Sequence, residues 1–82
     1  MENEHVIAFD STQQALRAEM LLEYADIEID LYPTPKEITA GCALSIQFDE
    51  SDLGEVQRII TEESVEIRGI FKKENEQYMQ IL

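Results

Sequence analysis

Residues 27–32 alternate strictly, with Ile27, Ile29 and Leu31 set against Glu28, Asp30 and Tyr32. A period of two marks a strand with one buried face. Pro33-Thr34-Pro35 stops it, because proline donates no backbone hydrogen bond and restricts the residue before it. After a loop from Lys36 to Gly41, with a helical turn placed over Lys36-Glu37-Ile38, a second alternation begins. It puts Cys42, Leu44, Ile46 and Phe48 on one face and Ala43, Ser45 and Gln47 on the other. Two consecutive strands joined by a proline loop therefore occupy the middle of the chain, and what flanks them must cover an apolar face.

The flanks are helical, each with a further strand beyond. Residues 5–9, His-Val-Ile-Ala-Phe, form a short apolar run suited to a buried strand. Ser11 then caps a helix predicted over Thr12 to Ala25, with Gln14 at its third position reaching back in a capping box. Ala15, Ala18, Leu22 and Ala25, with Leu21 beside them, give its core stripe. After Asp49-Glu50-Ser51-Asp52, whose acids suit the positive end of a helix dipole, Leu53, Val56, Ile59 and Ile60 give the second. Val65, Ile67 and Phe71 alternate with Glu66, Arg68 and Lys72 in a last strand broken at Gly69. Lys72-Lys73-Glu74-Asn75 reads as a turn. Tyr78, Met79, Ile81 and Leu82 form an apolar tail, either a short helix or an added strand.

The order β-α-β-β-α-β with right-handed crossovers predicts a ferredoxin-like α+β sandwich: a four-stranded antiparallel sheet with two helices on one face. Eighty-two residues leave room for one core, so residues 1–82 are expected to be a single domain, with a core at about 5–72 and a tail at 73–82. In this topology the first and third strands are antiparallel neighbours. Cys42 is thus expected near Phe9, Asp10 and the first turn of the first helix.

That helix carries a second apolar stripe, Leu16, Met20 and Tyr24. Either the C-terminal tail covers it, or it is a contact for a homodimer or another partner.

Charge excludes some functions. Eighteen acidic residues against six basic ones give a net charge of −12, which repels nucleic-acid phosphates and anionic membrane surfaces. The acidity serves either solubility or docking of a basic partner. Met1-Glu2-Asn3-Glu4 lacks the basic start and apolar run of a signal peptide, and no stretch reaches membrane-spanning length. A cytoplasmic location is expected, where a thiol stays reduced.

Cys42 is the one cysteine. A thiol reacts as its thiolate, and a helix N-terminus favours a nearby negative charge. Backbone N–H groups at Ser11, Thr12 and Gln13 are expected to face it. Gly41 permits close backbone approach. Lys36 is the loop's only cation, and Asp10 opposes it. The other reading is that Cys42 is a small buried hydrophobe. Thr34 and Thr39 can hydrogen-bond within the loop. His5 is read as a surface or strand-edge residue at the opposite end of the sheet, out of reach as a base for Cys42. No metal-ligand spacing, calcium loop or phosphate-binding glycine loop is present, so no metal or cofactor is expected.

The segment from Pro33-Thr34-Pro35-Lys36 through Thr39-Ala40-Gly41-Cys42-Ala43-Leu44 to Phe48 resembles the signature of the putative selenium/sulfur carrier protein-like family of small bacterial domains. Its members read Pro-Thr-Pro, a basic residue, a Ser-rich stretch, then Cys-Gly and an apolar strand. The opening is similar too: an apolar strand with Phe9, then Ser11-Thr12 and a helix holding Ala15, Ala18, Glu19 and Leu22. The resemblance covers roughly residues 5–72. It implies that Cys42 carries sulfur or selenium as a persulfide or selenenylsulfide, in a loop shaped by Pro33, Thr34, Pro35 and Lys36. Gly41 and Ala43 stand where the family has Ser and Gly, which leaves Thr39 as the hydroxyl expected near the thiol. Such a carrier works between donor and acceptor proteins and has no turnover of its own. The alternative is a non-catalytic homodimeric or partner-binding domain with a structural cysteine.

Overall fold

In the computed structural model, which describes residues 4–75 and 77–82, the chain forms β1 (Glu4–Ala8), α1 (Thr12–Tyr24), β2 (Ile29–Pro33), β3 (Leu44–Asp49), a 3-10 turn (Glu50–Asp52), α2 (Leu53–Glu62), β4 (Gly69–Glu74) and β5 (Gln77–Gln80). Met1, Glu2, Asn3 and Glu76 lie outside the described residues, so the reading of the N-terminus falls almost wholly there. The protein is α+β, with two helices and one five-stranded antiparallel sheet in the order β2-β3-β1-β4-β5.

The expected four strands become five. The tail, open between helix and strand, pairs with β4 (Lys72↔Met79, Lys73↔Tyr78). Lys72 to Glu74, expected in a turn, continue β4 instead. The turn comes at Asn75, whose φ of 50° is left-handed, a region Asn tolerates. Beyond β5 the chain runs on to the start of β4, where Ile70 N–H donates to the Leu82 carbonyl at 3.2 Å. Gly69 makes room for this, since a β-carbon there would sit 3.0 Å from the Leu82 carbonyl oxygen. The tail therefore lies on the sheet edge and leaves Leu16, Met20 and Tyr24 exposed, so the expectation that it covers them does not hold.

Both helices end alike and without glycine. After α1, Asp26 N–H donates to Glu23 O and Ile27 N–H to Leu22 O. After α2, Ser64 N–H donates to Thr61 O and Val65 N–H to Ile60 O. These are Schellman bonds, with Asp26 (φ 63°) and Ser64 (φ 55°) in the left-handed position. Ala25 is consequently the exposed cap of α1 rather than a core residue. The turn at Ser64 ties the Val65 N–H back to α2 with its side chain in the core, and β4 begins at Gly69 rather than at Val65.

The main core lies between helices and sheet. Ala15, Ala18 and Leu22 of α1 and Val56, Ile59 and Ile60 of α2 pack with Ile7, Phe9, Cys42, Ile46, Phe48 and Ile70. Deleting such a side chain, as in Leu22→Ala, typically costs about 2–5 kcal/mol. The other face of the sheet is also covered in part. Val6 and Ala8 are buried under Ile38 of the proline loop, with Ala40, Phe71 and Tyr78 around them.

His5, expected at the surface or at a strand edge, is buried instead. It is 2% exposed because β1 is an inner strand, with Phe48 of β3 on one side and Lys72 of β4 on the other. Its ring lies 5.5 Å from that of Phe48.

Candidate functional site

The thiol sits where three chain segments meet. β3 begins at Leu44 rather than at Cys42. Cys42 nevertheless reaches the sheet, its N–H donating to the Phe9 carbonyl at 3.0 Å just past the end of β1. Its sulfur keeps the parity of Leu44, Ile46 and Phe48 and enters the main core. Two polar groups meet Sγ there. The Leu44 N–H donates to it at 3.3 Å, and Thr12 Oγ1, at the start of α1, lies 3.3 Å away. A thiolate would accept from both, while a thiol can donate to Thr12. The hydroxyl at the sulfur is thus Thr12 rather than Thr39, and the backbone N–H comes from Leu44 rather than from the first turn of α1. Cys42 as a whole is 4% exposed.

Thr34 fastens the loop behind it. Its N–H donates to the Ala43 carbonyl at 2.8 Å, and its hydroxyl donates to the Cys42 carbonyl at 3.0 Å. That hydroxyl also lies 2.6 Å from Ser45 Oγ. Thr34 has one proton to give, so Ser45 is the donor in this second contact. Pro33 closes β2 opposite Leu44, on the outermost strand, where proline is tolerated. The Pro35 carbonyl accepts from Ile38 N–H at 3.0 Å, making a single turn over residues 35–38.

Asp10 ties the loop to the sheet's end. Its Oδ1 accepts from Gly41 N–H at 2.8 Å, and its Oδ2 pairs with Arg68 at 3.5 Å. Arg68 also donates through Nε to the Thr39 carbonyl at 3.2 Å. Within the loop the sequence holds one cation, Lys36; Arg68 reaches it from a distant part of the chain, and its one signal in the sequence is its place on the polar side of the last strand. Lys36 itself is exposed and makes no hydrogen bond or ion pair among the described residues. Ser11 accepts from Gln14 N–H at 3.5 Å, as a cap should. The reciprocal half of the capping box is absent, because the Gln14 side chain accepts from Glu66 N–H instead.

The site therefore unites Cys42 and Thr12 directly, and Thr34, Gly41, Asp10 and Arg68 through the backbone. Pro33 lies opposite Leu44 and Ser11 caps the helix that brings Thr12, whereas Pro35 and Lys36 belong to the turn that carries Ile38 to the other face of the sheet. His5 lies four residues back along β1 from Phe9, roughly 13 Å at strand spacing. Among the described residues, no group of three or more His, Cys, Asp or Glu side chains is placed to hold a metal ion. Nor is any described helix long and apolar enough to cross a membrane.

Fold and site together define a small α+β protein with one cysteine held between a strand start and a helix start. The chain belongs to the family described as putative Se/S carrier protein-like, which matches it over residues 4–72. No curated protein and no solved structure matches the chain.

Proposed function

We propose that this protein is a cytoplasmic sulfur or selenium carrier of ferredoxin-like build, extended by β5, with Cys42 as the carrying thiol. The Cys42 thiolate attacks the terminal sulfur of a donor protein's persulfide. A new S–S bond forms on Cys42, the donor's own S–S bond breaks, and its electron pair leaves on the donor thiolate. An acceptor's nucleophile then takes the atom and releases Cys42 as thiolate. A selenium atom on the donor's cysteine transfers in the same way. No net oxidation occurs and no general base is required, which fits a site without a nearby histidine.

The observation that carries this reading is the convergence of Leu44 N–H and the Thr12 hydroxyl on one sulfur, each at 3.3 Å. Charge-assisted bonds of this kind stabilise a sulfur anion, whether thiolate or persulfide. Pro33, Thr34, Pro35 and Gly41 shape the loop, Ser11 fixes the start of α1, and Lys36 is an exposed cation of the same loop. Because Cys42 is only 4% exposed, transfer requires residues 39–43 to lift from Asp10 and Arg68.

The same burial favours a second reading, a non-catalytic homodimeric or partner-binding domain in which Cys42 only fills space. The test is mass spectrometry of the native protein after incubation with a small-molecule persulfide. A carrier gains one sulfur atom at Cys42, loses it to added thiol, and gains nothing as Cys42→Ser. A native protein that neither alkylates nor gains mass at Cys42 refutes the carrier and leaves the second reading.

A further inference from the structure

The outward side of α1 is an apolar ridge. Leu16, Met20 and Tyr24 are 45%, 68% and 92% exposed and lie away from Ala15, Ala18 and Leu22, the side that packs on the sheet. A helix that only had to cover a sheet would be polar there. Side chains spaced by four form one continuous row, and such a row packs into the groove between two rows of another helix.

The free charges bordering this ridge have one sign. Glu19 and Glu23 stand beside it on α1, and Asp26 and Glu28 follow its C-terminal end. Arg17, the only cation of α1, is turned towards the end of α2. There it donates to the Glu63 carbonyl at 2.8 Å and lies 3.9 Å from the Glu63 carboxylate. The last turn of α1 has no basic residue, so it sets no cation of its own against the negative end of the helix dipole next to Tyr24. Beside it, an open depression of about 490 Å³ is lined by Glu23, Asp26, Ile27, Glu28 and Ile29.

We propose that this face docks an amphipathic helix of a basic partner protein. The partner's apolar groove sits on Leu16, Met20 and Tyr24, and a Lys or Arg enters the depression at the Tyr24 end. Its aliphatic stem lies on Ile27 and Ile29, and its charge meets Glu23, Asp26 and Glu28. The exposed Tyr24 ring adds a cation–π contact. A second copy of this chain is the poorer occupant, since each copy brings the same acids and a net charge of −12. An anionic membrane is repelled for the same reason. The surface is independent of any chemistry at Cys42.

The test is an NMR titration of the isotope-labelled chain with a synthetic helical peptide bearing a Leu/Ala groove flanked by Lys. A matched peptide with Glu in place of Lys is the control. Saturable shifts confined to residues 16–29 are expected with the Lys peptide alone. They should weaken about tenfold or more for Met20→Glu and fall as salt is raised. Met20 is exposed, so the variant's amide spectrum reports whether its fold is intact. Cys42→Ser should bind unchanged, which keeps this result separate from the carrier reading. Equal binding of both peptides, shifts centred outside residues 16–29, or no saturable shift overturns the proposal. So does a dimer by sedimentation that Met20→Glu dissolves, because the occupant is then a second copy.

Discussion

Gly41 lies so close to Asp10 that a β-carbon on it would sit 2.9 Å from the Asp10 carbonyl oxygen. Its own N–H donates to the Asp10 carboxylate at 2.8 Å, and the next N–H, that of Cys42, donates to Phe9. The missing side chain is thus what lets the thiol segment reach the end of β1. Gly41→Ala should destabilise the protein by about 1–3 kcal/mol, because the group it meets is backbone and cannot swing aside. Urea denaturation measures this. A stability equal to that of the wild type would mean the two segments separate without penalty.

The Thr34 hydroxyl both donates to the Cys42 carbonyl and accepts from Ser45, which is fully buried. Thr34→Val keeps the shape and removes both bonds. It leaves the Ser45 hydroxyl without its Thr34 partner, at a cost of about 1–3 kcal/mol. Thr34→Ser should recover most of the loss. Adding Ser45→Ala to Thr34→Val should cost less than the sum of the two single changes, since the stranded hydroxyl is then gone. Strict additivity in that cycle would deny the coupling.

Arg68 bridges Thr39 and Asp10 with half-exposed groups, an arrangement worth below about 1 kcal/mol to global stability. Its effect on access to the thiol is more direct. Arg68→Ala should speed native-state alkylation of Cys42 by about two- to fivefold, as local opening becomes easier than global unfolding. Comparing alkylation rates with denaturation midpoints separates the two. A rate that follows global stability alone would remove Arg68 from the role of a latch.

What was legible in the sequence was periodic, and what was not depended on partners. The alternation over residues 42–48 and the stripes at Ala15, Ala18 and Leu22 and at Val56, Ile59 and Ile60 locate the core without a structure. The topology they imply also places Cys42 by Phe9, Asp10 and the start of α1. The strand content of the tail was not legible, because Tyr78, Met79, Ile81 and Leu82 fit either period and only pairing with β4 decides. The burial of His5 follows from β1 having neighbours on both sides, which no local pattern states. Arg68 is remote in sequence from the thiol. Thr12 belonged to the expected site, but as a backbone donor; only the packing of α1 against the loop turns its hydroxyl to Sγ.

Ser64 closes α2 in a left-handed conformation, φ 55°, where a β-carbon is unfavourable. Ser64→Gly should therefore stabilise the protein by about 0.5–1 kcal/mol, the relief of strain being partly offset by the greater freedom of glycine when unfolded. For a chain of this length 1 kcal/mol corresponds to roughly 4–8 °C in Tm. Ser64→Ala should bring no gain. If Ala and Gly behave alike in a thermal melt, the left-handed cap is not the source of the strain.

Asp49 gives the acid limb of stability a defined part. The Ser51 hydroxyl donates to its carboxylate at 2.7 Å and the Ser51 N–H at 2.9 Å. These bonds, the hydroxyl foremost, hold the carboxyl below its usual range. The folded state then binds fewer protons than the unfolded state between the two pKa values, so stability rises with pH across that window. The contribution is complete above the unfolded value of roughly 4 and is lost as pH falls through the folded one. Asp49→Asn keeps an acceptor oxygen but does not titrate. Its stability difference from the wild type, measured by urea denaturation from neutral pH downwards, should hold steady to about pH 5 and shrink below about pH 4. Protonation of the other carboxylates relieves the net charge of −12 in both proteins alike, so it cancels in the difference. A gap that stays constant into strong acid would show that Asp49 draws nothing from its charge.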